Sequence, residues 1–370
     1  MKKIILSALS IFALTAFSQE YKFQNIIDVE STPVISQDKT GTCWSYATTS
    51  FLESEIIRLT GKQIDLSEMY NVRNTYMEKA ENYVMRQGAA QFSQGALGHD
   101  VINSVTKHGI VPINAFKGKE DSEEKHDHTE MEAALKGMAD SFSKAKKLSP
   151  KWRQAVNSVL DVYMGENPTE FIFEGKKYTP KSFLAYTKIN PKDYVSLTSF
   201  THQPFYSSFI LNIPDNFSNG SFYNVPIDEL IENIDNALTK GFTIALDCDV
   251  SEVGFSAKEG VAVLPVDSED TEEKFLKEIK PEVKVTQEFR QHEFENFNTT
   301  DDHLMHIVGK VKDQNGNAYY TVKNSWGSGS EKVGNNGYIY MSVPYTKLKT
   351  ISVMIHKDGL LSKTKSNLKL

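Results

Sequence analysis

Cysteine is scarce in this 370-residue chain: Cys43 and Cys248 are the only two. With no CxxC pair, a structural zinc site built on four thiolates is excluded, and no metal or cofactor is expected. At most one disulfide can form. Cys248 sits in the apolar stretch GFTIALDCDVS, where a thiol behaves as a small hydrophobe in a buried strand, so two free thiols are expected. A basic surplus is also missing. The 41 Lys and Arg against 48 Asp and Glu give a net charge of −7, the wrong sign for a general polyanion binder, so no nucleic-acid partner is expected. Beyond the first eighteen residues no apolar run is long enough to span a bilayer, and no membrane anchor is expected. No internal repeat is visible.

What is present is the material of a globular protein, 39% hydrophobic and 24% charged, with 21 Phe and 16 Tyr. A sizeable core is available, in one large domain or two of ordinary size. The opening MKKIILSALSIFALTAFS has two lysines, an apolar run, and small residues at Ala16 and Ser18. This is the plan of a secretory signal cut after Ser18. Loss of residues 1–18, which carry two lysines and no acids, takes the net charge from −7 to −9. No cysteine follows the apolar run, so lipid attachment there is excluded. The product is expected to be exported, periplasmic or secreted, with a mature domain over 19–370.

Helical patterning comes first along that domain. In residues 43–60, Ala47, Phe51, Ile56 and Leu59 fall near one face, Thr42 is placed to cap, and Gly61 takes the position glycine favours after a helix. A second helical stretch follows at LSEMYNVRNTYMEKAENYVMR, then the loop SQGALG, then a helix from about His99 to His108 closed by Gly109. Residues 117–130 are highly charged and read as solvated surface. HDH at 126–128 reads as two exposed histidines rather than a metal set, since no other ligand is in register with it. Helical spacing returns from Met131 to about Tyr163, short strands and turns are expected over 171–225, and a helix over 226–241. The last third alternates. HLMHIVGKVKDQNGNAYYTVKNSWG holds two strands about an Asn315-Gly316 turn, and GYIYMSVP and ISVMIH add two more. Helices first and an antiparallel sheet last predict an α+β protein of two lobes.

Cys43 remains to be explained. It can be a packed small side chain, a disulfide half, a metal ligand or a nucleophile. At a helix N-terminus the unsatisfied amides favour the thiolate, the nucleophilic form. A nucleophile needs a base and an orienter. His306, flanked by apolar residues in LMHIVG, is the candidate base. Asn324 in VKNSWG lies across the hairpin as its orienter, and Trp326 is placed to shield their hydrogen bond. His303 is the rival; three positions away on a strand, it faces the opposite side. Gln37, six residues before Cys43, can join the Cys43 amide in holding an oxyanion. Gly41 lets the backbone turn tightly between them.

These pieces together, Gln37 with GTCW, then LMHIVG, then NSWG and GNNGYIYM, resemble the papain superfamily of cysteine peptidases. Thr40 stands where papain-like enzymes carry a disulfide cysteine, and Thr42 replaces the usual Ser or Ala. Both are similar to the bleomycin hydrolase and aminopeptidase C branch. Cys43 and His306 are 263 residues apart, roughly 120 more than the papain spacing, as a large insertion at about 117–225 would give. HGIVPINAF, GENPTEFIFEGKKYTPKSF, YNVPIDEL and IALDCDV extend the likeness over nearly the whole mature chain. The resemblance implies a papain-like two-lobe fold, peptide substrates, a thioester acyl-enzyme and removal of N-terminal residues. It further implies a homo-oligomer, a hexamer in that branch. Gly95 and Ala96 stand where the paired glycines of the substrate cleft are usual, and a methyl there narrows the space beside the substrate. In that branch the C-terminal tail lies in the cleft, which here puts Leu370 of the 357–370 tail at the substrate's α-amine. An open-cleft endopeptidase and a non-catalytic peptide-binding homologue are the alternatives. A transglutaminase-like acyl transferase is weakened by Asn324, where those enzymes generally have Asp.

Overall fold

The computed structural model describes residues 20–120, 122, 124–266 and 275–370. The leader expected over 1–18 lies outside them. Among the described residues no helix is long and apolar enough to cross a membrane.

The helices are α1 Cys43–Thr60, α2 Glu68–Met85, α3 Gly98–His108, α4 Thr129–Ser143, α5 Trp152–Met164, α6 Pro180–Thr187, α7 Ile227–Thr239, α8 Gln287–Glu295, α9 Val343–Lys349 and α10 Ser362–Leu368. The strands are β1 Gln24–Asp28, β2 Phe171–Phe173, β3 Lys176–Tyr178, β4 Tyr194–Thr198, β5 Ser208–Ile210, β6 Ser221–Asn224, β7 Ile244–Cys248, β8 Phe255–Ser256, β9 Val261–Ala262, β10 His303–Lys312, β11 Ala318–Lys323, β12 Tyr338–Ser342 and β13 Thr350–His356. The protein is α+β, as expected. One large mixed sheet runs β5-β6-β4-β13-β7-β10-β11-β12-β9-β8, with β1 added alongside β10.

The helix starts are chemically marked. The Ser67 hydroxyl accepts from the Tyr70 N–H at 3.1 Å to open α2, and Thr286 does the same for Phe289 at the start of α8. α1 ends at Gly61, whose φ of 71° is the left-handed conformation that closes helices. The hairpin turn at Asn315-Gly316 is made as expected, with Gly316 at φ 88°.

α1 is buried along almost its whole length, because it is sandwiched between the other helices and the sheet. On one side Trp44, Phe51 and Leu52 join Tyr76, Val101, Met131 and Val156 in the core of a helical lobe. On the other it lies against β10. Strand alternation divides that contact: Leu304 and Ala245 face the α1 side, while Met305, Ile307, Ile244 and Leu246 face a second core under α7.

The insertion is not a separate body. Its first half, α4 and α5, packs on α2 and thickens the helical lobe. An aromatic group of Phe171, Phe173, Tyr178, Phe183 and Tyr186 joins the small β2–β3 hairpin to α6. The second half, β4 to β6, extends the main sheet beyond β13, partly by parallel pairing. The sheet is therefore wider than the last third of the sequence predicts, and helices cover both its faces.

Two surface expectations change. His128 is buried, its ring 5.9 Å from that of Tyr76, and burial lowers its pKa to about 4. Only Asp127 of the HDH run is exposed, in reach of Lys39. The tail does not enter the groove between the lobes. It folds as α10 against α7, where Thr364 Oγ1 donates to Glu229 Oε1 at 2.6 Å and the Leu361 N–H donates to Asn233 Oδ1 at 2.9 Å. Leu368 is buried in the core under α7, across the sheet from α1. The Leu370 N–H closes back on the Lys365 carbonyl at 3.0 Å.

Candidate active site

Cys43 is the first residue of α1 and is buried. The segment leading to it is fastened to both walls of the groove. The Gln37 N–H donates to the Ser325 carbonyl at 2.9 Å, and the Gly41 N–H donates to Gln94 Oε1 at 2.7 Å. The Trp44 indole N–H donates to the Gln94 carbonyl at 3.0 Å. Thr42 does not cap α1. Its hydroxyl meets that of Thr40 at 2.5 Å instead, and the first amides of a helix have no intrahelical partner.

The Gln37 side chain is held at both ends. Its oxygen accepts from the Ser325 hydroxyl at 2.7 Å, and its nitrogen donates to the Thr40 carbonyl at 2.6 Å. These contacts fix which end is nitrogen. One of the two amide hydrogens is left for a further acceptor.

The imidazole that meets Asn324 is His303, not His306. His303 Nε2 lies 2.7 Å from Asn324 Oδ1, and the Ser325 N–H donates to the same oxygen at 2.7 Å. Asn324 Oδ1 is therefore the acceptor, Nε2 carries the hydrogen, and Nδ1 is the free lone pair. Trp326 covers the His303 ring with centroids 4.8 Å apart. The Cys43 sulfur is hydrogen-bonded by the backbone of Leu304, the residue after His303. Cysteine, imidazole and Asn324 thus lie together at the end of β10 and the start of α1.

The preference for His306 is corrected for a physical reason. Residues three apart on a strand face opposite ways, and it is His303, at the very start of β10, that reaches Asn324 under Trp326. His306 points under α1. Its Nδ1 is 2.9 Å from Ser50 Oγ, and its ring stands edge-on to Phe51. Lys323 Nζ donates to Ser50 Oγ at 2.7 Å and to Thr32 Oγ1 at 2.9 Å, and Thr32 Oγ1 donates to Glu53 Oε2 at 2.5 Å. This buried polar chain ties α1 to the sheet. A signal for His303 is present in the sequence: it follows Asp301-Asp302, where a strand emerges from polar chain, whereas His306 is mid-strand.

Burial pushes the Cys43 thiol up to about 12 and the His303 imidazole down to about 4. Each shift favours the neutral form. Neither group ionises alone in this groove; the charged state that burial tolerates best is thiolate beside imidazolium, each ion the other's partner.

The profile of the Peptidase C1-like family matches residues 87–369. The chain belongs to that family. It is a cysteine peptidase. This C1-like peptidase is 23% identical to aminopeptidase C of Listeria innocua and of Listeria monocytogenes, each over 90% of this chain and 82% of the relative. Its fold is similar to the crystal structure of PepW from Lactobacillus rhamnosis HN001, with a TM-score of 0.75 at 19% identity, covering 94% of this chain and 84% of that one.

The expected substrate-binding residues divide. Trp326 is 37% exposed and roofs His303. Gly95 lies on the wall that Gln94 ties to Trp44, but a side chain covers it: a Cβ on Gly95 would lie 1.9 Å from Asp215 Oδ2. Ala96 is buried in the helical-lobe core, so its methyl does not narrow the groove. Leu370 lies with α10 on the far face of the sheet. Asp215 carries no signal in the sequence, where NIPDNFSNG reads as a turn.

Proposed function

We propose that this peptidase is an aminopeptidase that removes N-terminal residues through a thioester, with Cys43, His303, Asn324 and Gln37 as its working groups. The observation that carries the catalytic assignment is the His303–Asn324 hydrogen bond, roofed by Trp326, beside the sulfur of Cys43. Cys43 gives its proton to His303 Nδ1 and attacks the first peptide carbonyl. The carbonyl π pair moves onto oxygen, which Gln37 Nε2 and the Cys43 N–H hold. As the intermediate collapses, the C–N bond breaks and the imidazolium protonates the leaving amine. His303 then takes a proton from water, which attacks the thioester and releases the acid and the thiol. Asn324 keeps the imidazole in the tautomer both steps need.

The aminopeptidase reading is supported by the two aminopeptidase C relatives and by the cover over Gly95. Absence of the tail from the groove is the observation that favours an endopeptidase. Peptide amides with free and N-acetylated termini separate the two: an aminopeptidase cleaves the first far better, and equal rates exclude it. Cys43→Ala removes both activities while leaving the protein folded. We also propose an extracytoplasmic setting, supported by the leader sequence; N-terminal sequencing of the mature protein, expected to begin at Gln19, tests it.

A further inference from the structure

In this family branch the tail carboxylate is the expected partner of the substrate's α-amine, and here it lies on the wrong side of the sheet. In an aminopeptidase, another group must then do that work. Three carboxylates crowd the groove. Asp215, in the 211–220 loop of the insertion, sits over Gly95 and accepts from Gln91 Nε2 at 3.0 Å. The Asp215 backbone N–H donates to the carboxylate of Asp301, in the approach to β10. Asp247 of β7, 2% exposed, faces Asp301 and accepts from the Ser352 hydroxyl at 3.2 Å.

Asp247 and Asp301 hydrogen-bond each other, which keeps a proton on Asp247. Beyond that shared hydrogen, Asp301 Oδ2 and Asp247 Oδ1 are buried and accept from no other donor. The cation beside Asp215 is Lys79, whose ammonium donates to the Gly95 carbonyl and lies 4.8 Å from the Phe217 ring centroid. Three acids holding one shared proton, beside one committed lysine, leave lone pairs on Asp215 and Asp301 for a further donor. Buried oxygens without donors are costly, and an arriving cation removes that cost.

We propose that Asp215 and Asp301, with Asp247 behind them, are the receptor for the substrate's α-ammonium, and that the 211–220 loop closes the groove on that side. This receptor rests on the aminopeptidase reading. An ammonium offers three hydrogens to the acceptors waiting there. Its nitrogen lies roughly 2.5 Å from the carbonyl carbon that the nucleophile attacks, so its receptor has to stand beside the sulfur. Asp215, Asp301 and Asp247 are the charges that act on the Cys43 thiol. A longer substrate would need Asp215 to leave its place over Gly95. Burial is the main reason Cys43 stays protonated, and these carboxylates add to it; a bound ammonium offsets their share, so the correct substrate eases its own attack.

The test compares kcat/KM for an aminoacyl aminomethylcoumarin amide and its N-acetyl form, in the wild type, Asp215→Asn, Asp301→Asn and a chain ending at Leu368. We expect the free-amine preference to fall about 10- to 100-fold in each Asn variant, the loss of one hydrogen bond to a charged group, and to persist in the shortened chain. Retained preference in both Asn variants, or its loss on shortening, overturns the receptor. Equal rates in the wild type overturn the aminopeptidase reading itself. A measurement on the wild type needs no variant: leucinamide should protect Cys43 from iodoacetamide and N-acetyl-leucinamide should not. Equal protection by the two also refutes the receptor.

Discussion

Gly95→Ala moves Asp215 without touching any charge. Gly95 lies outside the left-handed region, so alanine adds only a methyl. That methyl would meet Asp215 Oδ2 at 1.9 Å, Cγ at 2.4 Å and Oδ1 at 2.5 Å. Ordinary contact is about 3.5 Å, so the carboxylate must retreat by roughly 1.5 Å. A charged hydrogen bond stretched that far is lost, which removes about 1.5–3 kcal/mol, or roughly 10- to 150-fold in kcat/KM for free-amine substrates. The N-acetyl substrate has no ammonium to lose, so the selectivity ratio falls by that factor. Crowding itself costs about 1–3 kcal/mol of stability, read as a lower Tm. Both are measurable on one preparation, with fluorogenic amides and a thermal melt. A lowered Tm with an unchanged ratio would refute the reasoning, because the carboxylate would have moved without consequence for the substrate.

Other substitutions probe the same geometry. Gln37→Ala should lower kcat about 10²- to 10³-fold, as expected for one oxyanion donor, and also lower the Tm because the Ser325 hydroxyl and Thr40 carbonyl lose their partner; a kcat loss under threefold contradicts that role. His306→Gln should leave kcat/KM within about threefold while lowering the urea midpoint, because His306 belongs to the buried Ser50–Lys323 chain; loss of activity in a stable variant would restore it to the site. Glu53, raised from 4.5 to about 7 by burial, holds its proton more tightly when folded. Wild-type stability relative to Glu53→Gln should therefore fall as pH rises from 4.5 to 7, by up to about 3 kcal/mol, and level off above. A difference that rises over that window in urea melts contradicts the assignment.

Much of this architecture is legible in local chemistry. α1 begins at Cys43 and closes at Gly61 because a left-handed glycine ends it, and Asn315-Gly316 turns the β10–β11 hairpin. Cys43, Asn324 and Gln37 stand out in the sequence by residue type and order, and the structure brings them to one place. Spacing does not settle the choice between His303 and His306, because alternation says only that they oppose, and the groove side is fixed by how α1 lies on the sheet. The tail and the 211–220 loop escape a reading of the sequence for a related reason. α10 finds α7, and Asp215 finds Gly95, over more than a hundred residues, and neither segment carries a periodicity that reveals its partner. Asp247 does leave a trace: an acid inside the apolar strand IALDC has to answer to something buried beside it.

The mechanism depends most on His303 as the base for Cys43. Its direct measure is kcat/KM for a free-amine peptide amide in His303→Ala. A fall of at least about 10³-fold, in a protein whose Tm shows it folded, is the predicted result. Activity within tenfold of the wild type would contradict the assignment and remove the basis for the mechanism.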